Sequence, residues 1–275
     1  MKNKLIVAGL IIFFIVGIFA LASVIKKIRV CPVQNSASGV SFSALMSQAK
    51  EFESKNNLLE AKNSYQKLVN EFPSSGDVMN WQKKVEELNI KLLFSPAITP
   101  KSISYVIKPG DTLAKIAREF NTTTDLIIKS NNLPGDRISP GKKIKVWNAP
   151  FTIFVDKSQN SLILKTKDEE IIKTYTVSTG ANNSTPVGTF KIVEKIANPP
   201  WFKPGATQPI PAGNPENILG TRWLGLSIPS YGIHGTVDPQ SLGRQVTQGC
   251  VRMANPEVEE LYIIVPKGTE VTIVD

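Results

Sequence analysis

The chain has 275 residues, more than one average domain needs, and 41% hydrophobic with 20% charged residues excludes a wholly disordered polymer. A formal net charge of +9 draws it toward polyanions: nucleic acid, an anionic membrane surface or an acidic wall polymer. The N-terminus decides among these. Lys2 and Lys4 precede an uncharged apolar run, Leu5 to Ile25, which Lys26, Lys27 and Arg29 close. About 20 such residues cross a bilayer core as a helix, so residues 1–30 are expected to be a transmembrane anchor. The alternative is a secretory signal cleaved near Ala20–Leu21–Ala22. On either reading the rest of the chain lies outside the cytoplasm, which excludes nucleic acid as a partner. Cys31 lacks the small residues that precede a lipoprotein cysteine and reads as incidental, although a disulfide to Cys250 would silence that thiol.

Residues 41–94 carry helical periodicity. Leu45, Ala49 and Phe52 share one face, Leu58, Ala61, Tyr65 and Leu68 another, and Phe72–Pro73 ends the second helix. A third amphipathic helix is predicted over Val78 to Leu93. Leu45, Ala49, Phe52, Ala61, Tyr65 and Pro73 resemble one tetratricopeptide (TPR) repeat. That resemblance implies a TPR-like hairpin able to recruit a protein partner; a plain helical spacer is the other reading. Residues 95–101 form a proline-marked linker.

Residues 102–147 predict strand, helix, helix, strand. A strand at Ser104–Ile107 precedes the turn at Pro109–Gly110, and Asp111 or Thr112 caps a helix bearing Leu113, Ile116, Ala117 and Phe120. Thr123 or Thr124 caps a second, with Leu126 and Ile127, before a closing strand at Trp147. Tyr105–Val106, Gly110–Leu113, Ile116–Ala117, Asn131–Leu133 and Ser139–Ile144 closely resemble a LysM domain, a small α+β (βααβ) module. The resemblance implies binding of N-acetylglucosamine-containing glycan strands in a shallow groove between Gly110, Asp111, Thr112 and Asn131, Asn132, Leu133. The other reading is a LysM fold that has lost glycan binding.

Residues 150–275 read mainly as β. Phe151–Val155 and Ser161–Lys165 alternate as a hairpin, and further strand patterns follow at Ile171–Gly180 and Gly188–Ile196. Asn198–Gly220, rich in proline and glycine, is long enough to suggest a functional lid. After a strand at Thr221–Ile228, Asn255–Val265 is the one clear helix, with Asn255 as its cap and Pro256 in its first turn.

Chemistry concentrates at Tyr231–Met253. His234 is the only histidine, and Cys250 lies sixteen positions downstream between Gly249 and Val251. A free cysteine is most often a small buried hydrophobe. Here a glycine precedes the thiol, and Arg252 places positive charge two residues away, able to favour a thiolate or hold a substrate carboxylate. The imidazole stands between Ile233 and Gly235 at a strand end, with a glycine on either side at positions 232 and 235. If Asp238 does not reach His234, a backbone carbonyl must orient the ring. One histidine and one useful cysteine fall short of a zinc site, so neither metal nor cofactor is expected. A serine elbow and a C-x-x-C pair are both missing from the sequence.

The blocks Tyr231–Thr236 and Thr247–Met253, with Val177–Ile192, Asn198–Trp201 and Ile218–Ser227, closely resemble the L,D-transpeptidase catalytic domain. Many members have histidine where this chain has Gln248, so His234 must be the base. The resemblance implies a β-sandwich-like, mainly β catalytic domain and a cysteine acyl-transfer mechanism. Cys250 would be nucleophile and His234 base, with Gly235 orienting the ring and backbone N–H groups at Gly249 and Cys250 forming the oxyanion hole. Arg252, Tyr231, Thr247 and Trp201 would bind or support substrate, Trp201 being equally a core candidate. The implied function is peptidoglycan 3→3 cross-linking in the bacterial cell envelope, on stem peptides and glycan strands, within cell-wall organisation and cell shape. An L,D-carboxypeptidase and a non-catalytic wall-binding scaffold are the rivals. The whole chain is thus expected to be multidomain: transmembrane helix, TPR-like hairpin, LysM domain and transpeptidase domain.

Overall fold

The computed structural model describes residues 41–275. The expected anchor, the alternative cleavage site and Cys31 all lie outside the described residues. Among the described residues, no helix is long and apolar enough to cross a membrane.

Three helices come first: α1 (Phe42–Ser54), α2 (Leu58–Glu71) and α3 (Val78–Leu93). The spacing of apolar residues at three and four positions puts Leu45, Ala49, Ala61, Tyr65, Leu68, Trp81, Val85 and Leu88 into one small core. Asn56, at φ 55°, reverses the chain between α1 and α2.

The next unit has the strand–helix–helix–strand order read from sequence. Strand β1 (Ser102–Val106) pairs antiparallel with β2 (Lys143–Trp147) around α4 (Leu113–Glu119) and α5 (Thr124–Ser130). Thr112 caps α4 by accepting from Lys115 N (3.2 Å), and Thr123 caps α5 by accepting from Leu126 N (2.9 Å). This unit has its own core of Tyr105, Ile107, Leu113, Ile116, Ala117, Ile127, Ile144 and Val146. It is also fastened to its neighbours. Leu126 and Trp147 belong to the large core of the C-terminal region, and Trp147 stacks on Phe151 at 5.1 Å and 6°. The buried Lys145 ammonium donates to the carbonyls of Leu92 and Ser95 (2.5 and 2.9 Å), which end α3. Burial pushes that lysine down to about 8.

The C-terminal region is one eight-stranded run, in the order β11-β9-β8-β7-β12-β3-β4-β5. The strands are β3 (Phe151–Asp156), β4 (Ser161–Thr166), β5 (Ile171–Thr176), β7 (Gly188–Ala197), β8 (Arg222–Leu226), β9 (Gly232–His234), β11 (Val251–Arg252) and β12 (Glu270–Val274). Long β7 explains how this run encloses a core. Its residues 188–191 pair with β12 and its residues 192–197 pair with β8, with a register shift between Ile192 and Glu194. One bent strand therefore serves two sheets, the usual way to turn a sandwich corner. A two-stranded parallel ladder, β6 (Thr179–Gly180) with β10 (Gln245–Thr247), lies beside them. Helix α6 (Asn255–Ile264) packs on β8 and β9.

Two features depart from expectation. Ala254, not Asn255, occupies the N-cap of α6, and it makes no side-chain capping bond. Helix α3 is engaged by the sheet. Asn89 donates to the carbonyls of Ile171 and Ile172 (3.1 and 3.2 Å), and Glu86 accepts from Thr174 N and its hydroxyl (3.2 and 3.1 Å). Residues 86 and 89 share one helix face, so α3 covers part of the outer edge of β5, where another strand would otherwise pair.

Candidate active site

Strand register explains how residues sixteen apart meet. In the parallel pair of β11 and β9, Val251 opposes Ile233 and Arg252 opposes His234. Side chains alternate along a strand, so Val251 and Ile233 point one way, into the core, where both are buried. Gly232, His234, Cys250 and Arg252 then share the other face. In the antiparallel pair of β8 and β9, Trp223 opposes His234 and Gly225 opposes Gly232. That face floors a groove of about 740 Å³ lined by Cys250, His234, Arg252, Tyr231, Thr247 and Trp201 among others. All six catalytic and substrate-binding side chains singled out from sequence thus line one cavity.

The imidazole is buried and rigidly held. His234 Nδ1 lies 2.6 Å from the Gly235 carbonyl oxygen. A carbonyl only accepts, so Nδ1 carries the proton and Nε2 is left as the basic nitrogen. Trp223 stacks beneath the ring at 6.0 Å and 24°. Burial, aided by the Arg252 charge, depresses His234 to about 4, although the Gly235 and Leu219 carbonyls act the other way. The ring is therefore neutral at neutral pH. Among the described residues Asp238 makes no hydrogen bond to the ring: its amide donates to the Thr236 hydroxyl (2.9 Å), and the residue lines an adjoining cavity with Ser241, Arg244 and Arg252.

Cys250 is a free thiol partly open to the groove. Burial raises its pKa, against the opposing pull of a Gly232 backbone hydrogen bond and the Arg252 charge. The expected thiolate preference is thus reversed at rest, because desolvation outweighs one nearby cation. Among the described residues, Sγ donates to the Ser230 carbonyl at 3.6 Å and makes no hydrogen bond to the imidazole. Resting catalytic contacts are often long and tighten only with substrate.

The turn before the nucleophile is braced by Thr247. Its hydroxyl accepts from Gly249 N (3.1 Å) and donates to Cys250 O (2.6 Å). The Gly249 N–H is thus occupied, which removes it from the oxyanion donors in this resting form and leaves Cys250 N–H as the one expected there. Gly249 sits at φ +131°, and a Cβ on it would lie 2.6 Å from the Tyr231 ring. Only glycine fits. Arg252 donates from Nη1 to Ser241 Oγ (2.9 Å), while its buried Nε has no hydrogen-bond partner among the described residues.

The Asn198–Gly220 segment forms a groove wall. Trp201 and Ile210 exchange two backbone hydrogen bonds of 2.8 Å, and buried Asn217 ties the base by donating to Pro199 O (2.9 Å). Trp201 therefore faces the groove and is not a core residue.

Sequence reasoning missed Asn255. Its Oδ1 accepts from Thr221 N (3.2 Å) and Thr236 N (3.0 Å), joining the end of the wall to the residue after Gly235. A Cβ on Gly235 or Gly220 would fall within 2.2 Å of that oxygen. Its place at a helix start invited the capping assignment instead. Trp223 and Glu194 were also missed. Trp223 follows from the alternation of β8, and Glu194 from the register shift in β7, once the pairing is known.

In the glycan-binding candidate region, most polar groups serve the fold. Asp111 accepts from Tyr105 OH (2.9 Å) and Lys108 N (2.8 Å). Asn131 accepts from Lys145 N (2.7 Å) and donates to Lys145 O (2.8 Å). Thr112 is a helix cap. Exposed Gly110 and Asn132 and half-buried Leu133 remain at the rim.

Residues 150–273 match the L,D-transpeptidase catalytic domain family, and residues 105–147 match the LysM domain family. A Bacillus licheniformis protein named as the L,D-transpeptidase YkuD is 37% identical over 179 residues, 62% of this chain and 98% of that protein. Its Bacillus subtilis namesake is 35% identical over 178 residues, again 62% and 98%. A solved L,D-transpeptidase from Mycobacterium smegmatis aligns with TM-score 0.40 at 16% identity, over 50% of this chain and 65% of that one. The chain belongs to the L,D-transpeptidase family of the YkuD type. It carries a LysM domain ahead of the catalytic domain.

Proposed function

We propose that this protein is a peptidoglycan L,D-transpeptidase that forms 3→3 cross-links through a thioester on Cys250. The observation that supports the reading is the shared face of β9 and β11, from which Cys250 and His234 line one groove, with the basic nitrogen of the imidazole set by the Gly235 carbonyl. As Sγ attacks the carbonyl of the third stem residue, its proton passes to Nε2 of His234. The C–N bond to D-alanine breaks, and the imidazolium returns the proton to the departing amine. A second stem's side-chain amine then attacks the thioester, forming the new amide and releasing the thiol. Because imidazole and thiol are both neutral at rest, the proton moves within the attack and no ion pair is formed beforehand. The Cys250 N–H would stabilise the oxyanion. Arg252, charged and partly buried beside the nucleophile, would hold a stem carboxylate.

The LysM unit would hold the enzyme on glycan and raise the local concentration of stems. The apolar N-terminal run would keep both at the membrane, with the catalytic domain outside the cytoplasm. Helices α1 and α2 would be the surface left for a protein partner, since α3 lies against the sheet. Incubating the full chain with tetrapeptide muropeptides should give D-alanine and a cross-linked dimer. Tripeptide with no dimer would make the enzyme an L,D-carboxypeptidase, and no turnover would leave a wall-binding scaffold.

A further inference from the structure

The groove carries one charge that acyl transfer does not use. Glu194 of β7 opposes Gly225 of β8, which opposes Gly232 of β9. Cys250 immediately precedes Val251, the partner of Ile233, and so falls beside Gly232 on the same row. Glu194 and Cys250 thus close the two ends of one cross-strand row, about 14 Å apart at three strand spacings. Both line the groove.

The space between them is shaped. A Cβ on Gly225 would lie 2.9 Å from Trp223 Nε1, and one on Gly232 would lie 2.6 Å from the same indole. The two glycines let the ring lie along the row. Its Nε1 donates to Glu194 Oε2 at 3.2 Å. Among the described residues Glu194 makes no ion pair. The surrounding wall is largely apolar, with Pro199, Trp201, Phe202, Ile218 and Tyr231. Glu194 is exposed at the mouth of this groove, and an unpaired carboxylate joined to an indole there is suited to a cation. The carboxylate accepts charge-assisted hydrogen bonds, and the aromatic face attracts the positive group.

We propose that Glu194 and Trp223 form an ammonium subsite that recognises the side-chain amine of the donor residue whose carbonyl Cys250 attacks. This rests on the transpeptidase reading. The row length suits a side chain as long as that of lysine, extended from the sulfur toward Glu194. It also holds that amine away from the thioester, so the subsite selects the donor and does not deliver the attacking amine. Glu194 and Trp223 are specificity residues, distinct from the groups that move protons.

The test uses the full chain and two tetrapeptide donors, one with its side-chain amine free and one with that amine acetylated. The readout is the ratio of their kcat/KM values for Cys250 acylation. The wild type should prefer the free amine by about 2–10-fold, as expected for one charge-assisted contact to an exposed carboxylate. E194Q, nearly isosteric, should bring the ratio close to one, and W223F should lower it part of the way. Acylation of each variant by a β-lactam without an amine reports separately whether the Cys250 site is intact. A wild type indifferent to acetylation, or an acylation-competent E194Q that keeps the preference, overturns the subsite. Failure of the wild type to be acylated by either peptide overturns the transpeptidase reading itself.

Discussion

The two ends of the eight-stranded run are treated in opposite ways. At the β5 end, α3 lays Glu86 and Asn89 along the strand and engages the Ile171 and Ile172 carbonyls and the Thr174 amide. At the other end β11 is two residues long, with a single bridge between Ser178 and Arg252 on its outer side. There the backbone is fixed by side chains: Thr247 across the turn, and Asn255 across the loop after His234. One end is closed so that nothing pairs with it. The other is kept short so that Cys250 and His234 stand at a groove. Stability and reactivity are thus assigned to opposite ends of one run of strands, and each can be broken without the other.

The largest effect should come from the open end. His234→Asn should reduce kcat/KM by about 10²–10⁴-fold, the usual contribution of a positioned base. The wild-type acid limb of kcat/KM should fall near pH 4 rather than at the ordinary histidine value, because burial depresses His234 to about 4. The same shift has a sign for stability. An unfolded histidine takes up its proton first, so folding loses stability as pH falls from about 6.5 through 4. Urea titrations across that window should show the loss in wild type and lack this component in His234→Asn.

Next comes the clamp. Asn255→Ala leaves the amides of Thr221 and Thr236 without their acceptor. It should cost roughly 2–4 kcal/mol and lower kcat by about 10-fold or more, since misplacing a catalytic group is expensive. Asn255→Asp keeps an acceptor oxygen and should recover most of both. If alanine changes stability but leaves kcat intact, the clamp does not act through His234.

The smallest catalytic effect belongs to the closed end. Glu86→Ala with Asn89→Ala should lower stability by about 1–3 kcal/mol and promote concentration-dependent self-association through β5. The kcat should stay unchanged. Sedimentation and assay on one preparation check both halves. A large fall in kcat would show that the two edges are coupled.

Much of this is legible in the sequence alone. Alternation in Phe151–Val155 and Ser161–Lys165 marked paired strands, and Thr112 and Thr123 were readable as caps. The spacing of Tyr231–Met253 singled out the lone histidine and its cysteine. What stayed hidden depended on pairing between distant segments. Glu194 reaches the groove only because β7 shifts register where it changes sheets. Asn255 reads locally as a cap, yet its side chain bonds residues 34 and 19 positions away. The raised thiol pKa was hidden because sequence proximity to Arg252 says nothing about burial. The role of α3 was hidden because an amphipathic pattern does not name what covers its polar face.

The most direct test is the intact mass of the full chain, quenched during turnover of a tetrapeptide stem. The account predicts an adduct of the tripeptide acyl group, mapped to Cys250, lost in Cys250→Ala and much slower to form in His234→Asn. An unmodified Cys250 in a preparation that is turning over substrate, or an adduct that forms equally fast without His234, would contradict it.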